Sequence, residues 1–151
     1  MSSKSILALI FVLSVAYGCA TRSPMNEYLG PVSTPAFEPI VLSTVKDGTD
    51  RILFVESAVL QEDKKPNVLG LLVITEKGIY LIKWDTHAYK YSVIYKLPIV
   101  NIYHIEENVI EVCCLPDIES LVITDKEGRK VSFTLKDPRA ARIIIKDIGK
   151  I

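Results

Sequence analysis

The chain has 151 residues, room for one domain built on one hydrophobic core. Hydrophobic residues make up 49% of it, which excludes a disordered polymer. Basic and acidic residues number 18 each, so no field of either sign exists to recruit nucleic acid.

In chain order, the first feature is a leader. Lys4 supplies a short positive region, and Ile6 to Val15 (ILALIFVLSV) is an uncharged apolar run of signal-peptide length. Crossing a bilayer takes about twenty apolar residues, and this run is too short for that. It ends in Ala16-Tyr17-Gly18-Cys19. Small residues before a cysteine at this place resemble the bacterial lipobox, in which the cysteine is diacylated and becomes the mature N-terminus. Gly18 and Cys19 carry the match, while Ala16 and Tyr17 stand where a leucine and a small residue are usual. The resemblance implies a signal peptide over residues 1–18, lipidation of Cys19 by palmitate-type acyl chains, and attachment to a membrane of the bacterial cell envelope. Ala20, rather than an aspartate, follows the cysteine, which in such lipoproteins implies the outer membrane, facing the periplasm. Removing residues 1–18 removes only Lys4 among the charges, so the mature chain carries 17 basic and 18 acidic residues.

From Thr21 to Pro39 four prolines (Pro24, Pro31, Pro35, Pro39) stand among Ser, Thr and Gly with no apolar period, which predicts a tether. At about 3.1 Å per residue it reaches roughly 60 Å. Residues 19–39 are thus expected as the lipidated N-terminus and linker, and residues 40–151 as the folded domain.

Within that domain, Ile52 to Val59 reads two ways. Leu53, Val55, Ser57 and Val59 alternate as in a strand, yet Ile52, Val55 and Val59 also fit a helical period. The β-prone Leu53-Phe54-Val55 favours the strand. Gln61 to Asn67 is a polar loop containing Pro66. Val68–Thr75 and Gly78–Trp84 are strands joined by a hairpin at Glu76-Lys77-Gly78. Tyr89–Tyr95, Leu97–Ile105 and Val109–Leu115 continue the series. The last stretch, Glu119 to Ile151, reads as strand, turn, strand and one closing helix. Gly128 sits in the turn Asp125-Lys126-Glu127-Gly128, and Val131, Phe133 and Leu135 alternate with polar residues after it. Asp137 caps a helix with Pro138 in its first turn and Gly149 past its end. Ala141, Ile144, Ile145 and Ile148 form its apolar stripe, with Arg139, Arg142 and Lys146 facing away. Short strands followed by one amphipathic helix predict a mostly-β fold: a small antiparallel sandwich or barrel of about seven strands, capped by a C-terminal helix.

That layout resembles the pleckstrin-homology-like superfamily, closest to its GRAM-like and bacterial branches. The residues that carry the likeness are Leu71 to Ile82 (LLVITEKGIYLI) for the early hairpin and Leu97 to Ile102 for the lead into a middle strand. Leu121 to Leu135 with Ala140 to Ile144 match the last hairpin and capping helix. In eukaryotic members a basic loop after the first strand grips phosphoinositide headgroups. Here Lys64 and Lys65 follow Glu62 and Asp63, which cancel their charge, so phosphoinositide binding is not expected.

Candidate chemistry is sparse. Cys113 and Cys114 are adjacent, which on a strand sends one side chain inward and the other out; a vicinal disulfide is the other arrangement open to them. His104 and Glu106 share a strand face, but no further ligand recurs at metal spacing, and His87 falls in a loop. No nucleophile elbow or Gly-rich phosphate loop occurs. No cofactor, no metal and no catalytic residue is therefore assigned, and the chain is not expected to be an enzyme. The best candidate contact patch is aromatic: Tyr89, Tyr91 and Tyr95 on one strand face, with Trp84 ending the strand before. The function expected is a membrane-anchored, non-enzymatic binding or adaptor module with an envelope-protein partner. The alternative is a carrier or sensor of a small apolar or lipid-like ligand held inside the β-body.

Overall fold

The computed structural model describes residues 28–110 and 118–150. Cys19 and its leader, and the pair Cys113-Cys114, lie outside the described residues. The strands are β1 (Phe54–Glu62), β2 (Val68–Ile74), β3 (Gly78–Asp85), β4 (Lys90–Pro98), β5 (Ile102–Ile110), β6 (Ile118–Asp125) and β7 (Lys130–Leu135). They form one seven-stranded sheet in the order β4-β3-β2-β1-β7-β6-β5, antiparallel throughout. Helix α1 (Phe37–Val45) precedes them, helix α2 (Pro138–Gly149) follows, and a 3₁₀ turn (Ile99–Asn101) separates β4 from β5.

The sheet folds over on itself. β4 and β7 are four positions apart in the strand order, roughly 19 Å in a flat sheet. Yet the rings of Tyr95 on β4 and Phe133 on β7 stand 5.6 Å apart, edge to face. Between the two halves lies the main core, with Leu72, Leu81, Leu121, Ile123 and Phe133 fully buried. Helix α2 closes one end of it through Ala141 and Ile145, with Ile144 and Ile148 packed alongside. Its N-cap is Asp137, whose Oδ1 accepts the Ala140 N–H at 2.9 Å, and Pro138 occupies the first turn. The mostly-β body with a C-terminal helix is thus the fold that the strand and helix patterns predict.

Several local expectations change. In β1 the core takes Ala58 and Leu60, so the alternating set Leu53, Val55, Ser57 and Val59 belongs to the opposite face. The expected strand Leu97–Ile105 is broken by the 3₁₀ turn: Leu97 and Pro98 finish β4, and the Ile99 N–H donates to the Lys77 carbonyl at 3.0 Å. Arg142 does not simply face solvent. Its Nε lies 2.8 Å from Glu107 Oε1, charge against charge but without an aligned N–H, and Arg139 approaches the same carboxylate at 3.9 Å.

The larger correction concerns the tether. Packing begins no later than Leu29, well before Ile40. Leu29, Val32, Phe37, Ile40, Val41 and Val45 lie on the outer face of β2–β4, against Leu71, Val73, Tyr80, Ile82, Trp84 and Tyr91. Phe37, Val41 and Val45 recur every four residues and face the sheet together. Pro39 is the third residue of α1, where its missing N–H is one of the first-turn donors that find no partner inside a helix. Gly30 has φ +73°, and a β-carbon there would come within 2.7 Å of the Trp84 ring. The backbone of the entering chain therefore lies directly on the indole.

The loop after α1 is tied down too. The Asp47 carboxylate accepts from the Thr75 hydroxyl at 2.7 Å and the Tyr80 hydroxyl at 2.9 Å, and Lys77 Nζ donates to the Asp47 and Gly48 carbonyls at 3.0 Å.

Candidate functional site

The aromatic group singled out in the sequence does not form a surface. Trp84 is 7% exposed and Tyr91 4%; their rings meet at 4.9 Å, Phe37 stands 6.1 Å from Tyr91, and the Tyr91 hydroxyl donates to the Leu29 carbonyl at 2.6 Å. Burial pushes the Tyr91 hydroxyl pKa up to about 12. Tyr95 belongs to the opposite face. The register of β3 with β4 slips between Leu81↔Tyr95 and Ile82↔Val93, so Ile94 is a bulge that reverses the alternation. Tyr95 consequently enters the main core beside Phe133, where burial, with the charges of Asp125 and Glu62 behind it, raises its hydroxyl to about 12. Tyr89 is exposed, at φ +48°, in the β3–β4 turn. One side chain of the four is open to solvent.

Several other titratable groups are held structurally. The His87 N–H and Ala88 N–H both donate to Asp85 Oδ1 at 2.9 Å, which closes the turn. Buried Asp125 organises the β6–β7 turn: Oδ1 accepts the Glu127 and Arg129 N–H groups at 2.9 Å, and Oδ2 lies 2.7 Å from Arg129 Nε. Burial of Asp125 raises its pKa, but the Arg129 amide and guanidinium and the Glu127 amide outweigh this and hold it below the usual range. Lys65 pairs with Glu62 at 2.8 Å. Glu62, Lys65, Asp125 and Arg129 border an open groove of about 670 Å³ between the β1–β2 loop, β4 and the β6–β7 turn, whose lining mixes both signs of charge. Among the described residues no cluster of three or more His, Cys, Asp and Glu side chains is arranged to hold a metal. His104 and Glu106 do come together on β5, at 3.8 Å.

What the fold leaves open is a strand edge. Among the described residues β4 and β5 end the strand order, each pairing on one side only. Their protection differs. β4 carries the Ile94 bulge, Lys90 and Lys96, and it ends in Pro98; bulges, lysines and proline are the devices that discourage edge-to-edge pairing. β5 has one irregularity, at Tyr103 near its start, and then an unbroken register with β6 from His104↔Thr124 to Ile110↔Ile118. Neither lysine nor proline occurs in it. His104, Glu106 and Asn108 lie on the outer face of this strand, opposite Thr124, Val122 and Ser120. On the inner face Ile105 enters the core, and Glu107 meets Arg142 of α2. Apolar side chains border the edge: Val100 of the 3₁₀ turn (73% exposed), Tyr103 (70%), Val109 and, on α2, Ile143. α2 packs against β5 and the 3₁₀ turn.

The sequence concealed this edge because the expected strands Leu97–Ile105 and Val109–Leu115 divided β5 between them. The alternation of His104, Glu106 and Asn108 with Ile105, Glu107 and Val109 was the available signal. Its weakness is that Glu107, an inward residue, is charged.

No protein-family model matches the chain, and no curated protein does. Solved structures do resemble it. One is the C-terminal domain of an unknown protein from Leishmania infantum, with a TM-score of 0.54 and 12% identity over 75% of this chain and 97% of that one. Another is Vav1 in complex with an allosteric inhibitor, with a TM-score of 0.56 and 5% identity over 74% of this chain and 33% of that one. At such identities the likeness concerns fold alone.

Proposed function

We propose that the chain is a bacterial lipoprotein, held in the outer membrane through lipidated Cys19. On this reading its pleckstrin-homology-like domain, of the GRAM-like or bacterial kind, is a non-enzymatic adaptor for envelope proteins. Its contact surface is the free edge of β5 with Val100, Tyr103 and Ile143 beside it. The observation that carries this is the contrast between the two sheet edges: β4 is guarded by a bulge, lysines and a proline, while β5 offers a regular ladder flanked by exposed apolar side chains. An added strand completes such a ladder with main-chain hydrogen bonds, and the apolar neighbours supply the desolvated anchor that binding hot spots need. The interior favours this over a carrier, since the space between the sheet halves is taken by side chains such as Leu72, Leu81, Phe133 and Ile145.

A photo-crosslinking residue placed at Tyr103 in the native host tests the surface, with the same residue at Tyr89 as control. The expected result is a protein adduct from position 103 and none from 89. Absence of any adduct from positions 100, 103 and 143 would overturn the assignment.

A further inference from the structure

We propose that the β5 edge pairs with β5 of a second copy of this chain, antiparallel, about a twofold axis at Ile105. The inference rests on the reading of β5 as a contact surface and names its occupant.

Charge and register select this pairing. A continuous sheet must place outer-face residues opposite outer-face residues, so the twofold axis passes through a residue and not between two. The charged or titratable outer-face residues of β5 are His104 and Glu106, two apart and 3.8 Å from each other. An axis at Glu106 sets the two Glu106 carboxylates face to face, and an axis at His104 sets the two imidazoles together; like groups directly opposite are unfavourable. An axis at Glu107 places Glu106 opposite Asn108 and leaves His104 without a charged neighbour. Only an axis at Ile105 places His104 opposite Glu106 of the other copy, and it does so twice by symmetry. About this axis both copies are regular over His104–Glu106, and beyond it residues 107–110 of one copy face the Tyr103 irregularity and the 3₁₀ turn of the other.

Two full-length chains with different affinity tags, co-expressed and captured from detergent-solubilised membranes, test this. Wild-type copies are expected to co-purify. His104→Glu alone faces Glu106 in both pairs, and Glu106→Lys alone faces His104, so each variant should lose self-capture by roughly tenfold. When the two variants are mixed, the glutamate of His104→Glu faces the lysine of Glu106→Lys at one contact. The other contact keeps the native His104 and Glu106, so capture should recover to near the wild-type level. Glu106→Lys also brings a second cation toward Lys130, whose Nζ now lies 4.0 Å from Glu106. Recovery in the mixture cannot come from that intrachain effect, and thermal melts of each variant confirm folding. Self-capture that persists in both single variants, or a folded mixture that does not recover, overturns the proposal. A wild-type chain that does not capture itself while the Tyr103 crosslinker marks a different protein overturns self-pairing and leaves the contact surface standing. Absence of both overturns the two together.

Discussion

Replacing Gly30 by alanine tests whether the segment ahead of α1 is part of the body. Two penalties are separable. Gly30 holds φ +73°, and the left-handed region costs an L-residue about 1–2 kcal/mol. The added methyl also meets the Tyr91 hydroxyl at 2.6 Å and Trp84 Cδ2 at 2.7 Å. The tyrosine tip can swing away, at the loss of its hydrogen bond to the Leu29 carbonyl, about 1 kcal/mol. The indole, buried between α1 and the sheet, cannot, so the entering chain must lift. A total near 3 kcal/mol follows, or roughly ten degrees in the melting midpoint. Gly128→Ala is the control: its φ is +82°, but a methyl there meets nothing within 4 Å, so it carries the first penalty alone. Trp84 is the single tryptophan of the chain and reports directly. Gly30→Ala should shift its emission to the red and open it to acrylamide quenching, with Gly128→Ala unchanged in both. Equal melting midpoints for the two variants, with Trp84 emission unmoved, would refute the packing of residues 29–45 on the sheet.

The acid limb of stability should depend on Asp47. Burial raises its pKa, but hydrogen bonds from the Thr75 hydroxyl, the Thr49 amide and the Tyr80 hydroxyl, together with the Lys77 charge, hold it below the ordinary value. A group depressed on folding contributes stability that is present above its unfolded pKa, about 4, and is lost as pH falls toward the folded value. The melting midpoint should therefore fall below about pH 4. Asp47→Asn should start lower at neutral pH and fall less steeply; parallel curves for the two proteins would refute the role. Ile145→Ala, at the fully buried contact of α2 with the core, should cost about 2–5 kcal/mol by denaturant titration. Ile143→Ala, on the exposed side of the same helix, should stay within about 0.5 kcal/mol. Cys19→Ser should abolish metabolic palmitate labelling and release the chain from membranes; retained label would reject the lipobox reading.

The C-terminal hairpin and helix were legible because their determinants are local. Asp125 and Gly128 build their turn from their own neighbours, Asp137 caps the next helix three residues away, and Val131, Phe133 and Leu135 alternate without interruption. Helix α1 was illegible because its determinants are not. It has no side-chain N-cap and carries a proline and β-branched residues, so its intrinsic propensity is poor. What makes it a helix is the apolar outer face of β2–β4, to which Phe37, Val41 and Val45 are anchored. Proline spacing alone reads such a segment as a tether.

The bulge at Ile94 shows the same limit at the scale of one residue, and it bears on where a function can lie. Strict alternation sends Tyr91 and Tyr95 to one face; one unpaired residue sends them to different cores. Nothing in the local sequence of β4 marks that insertion, because it is set by the register with β3. Its consequence reaches the edge. A bulged, lysine-bearing strand that ends in proline is a poor template for another chain, so β4 closes the sheet on its own side. β5 has neither lysine nor proline, although it carries the irregularity at Tyr103 and the inward charge of Glu107, and His104 and Glu106 stand two apart on its outer face, the spacing that the proposed twofold pairing uses. The residues that catch the eye in the sequence, Trp84 and the tyrosines, are spent on packing. The edge that we propose for recognition is defined by main-chain groups, which no residue type announces.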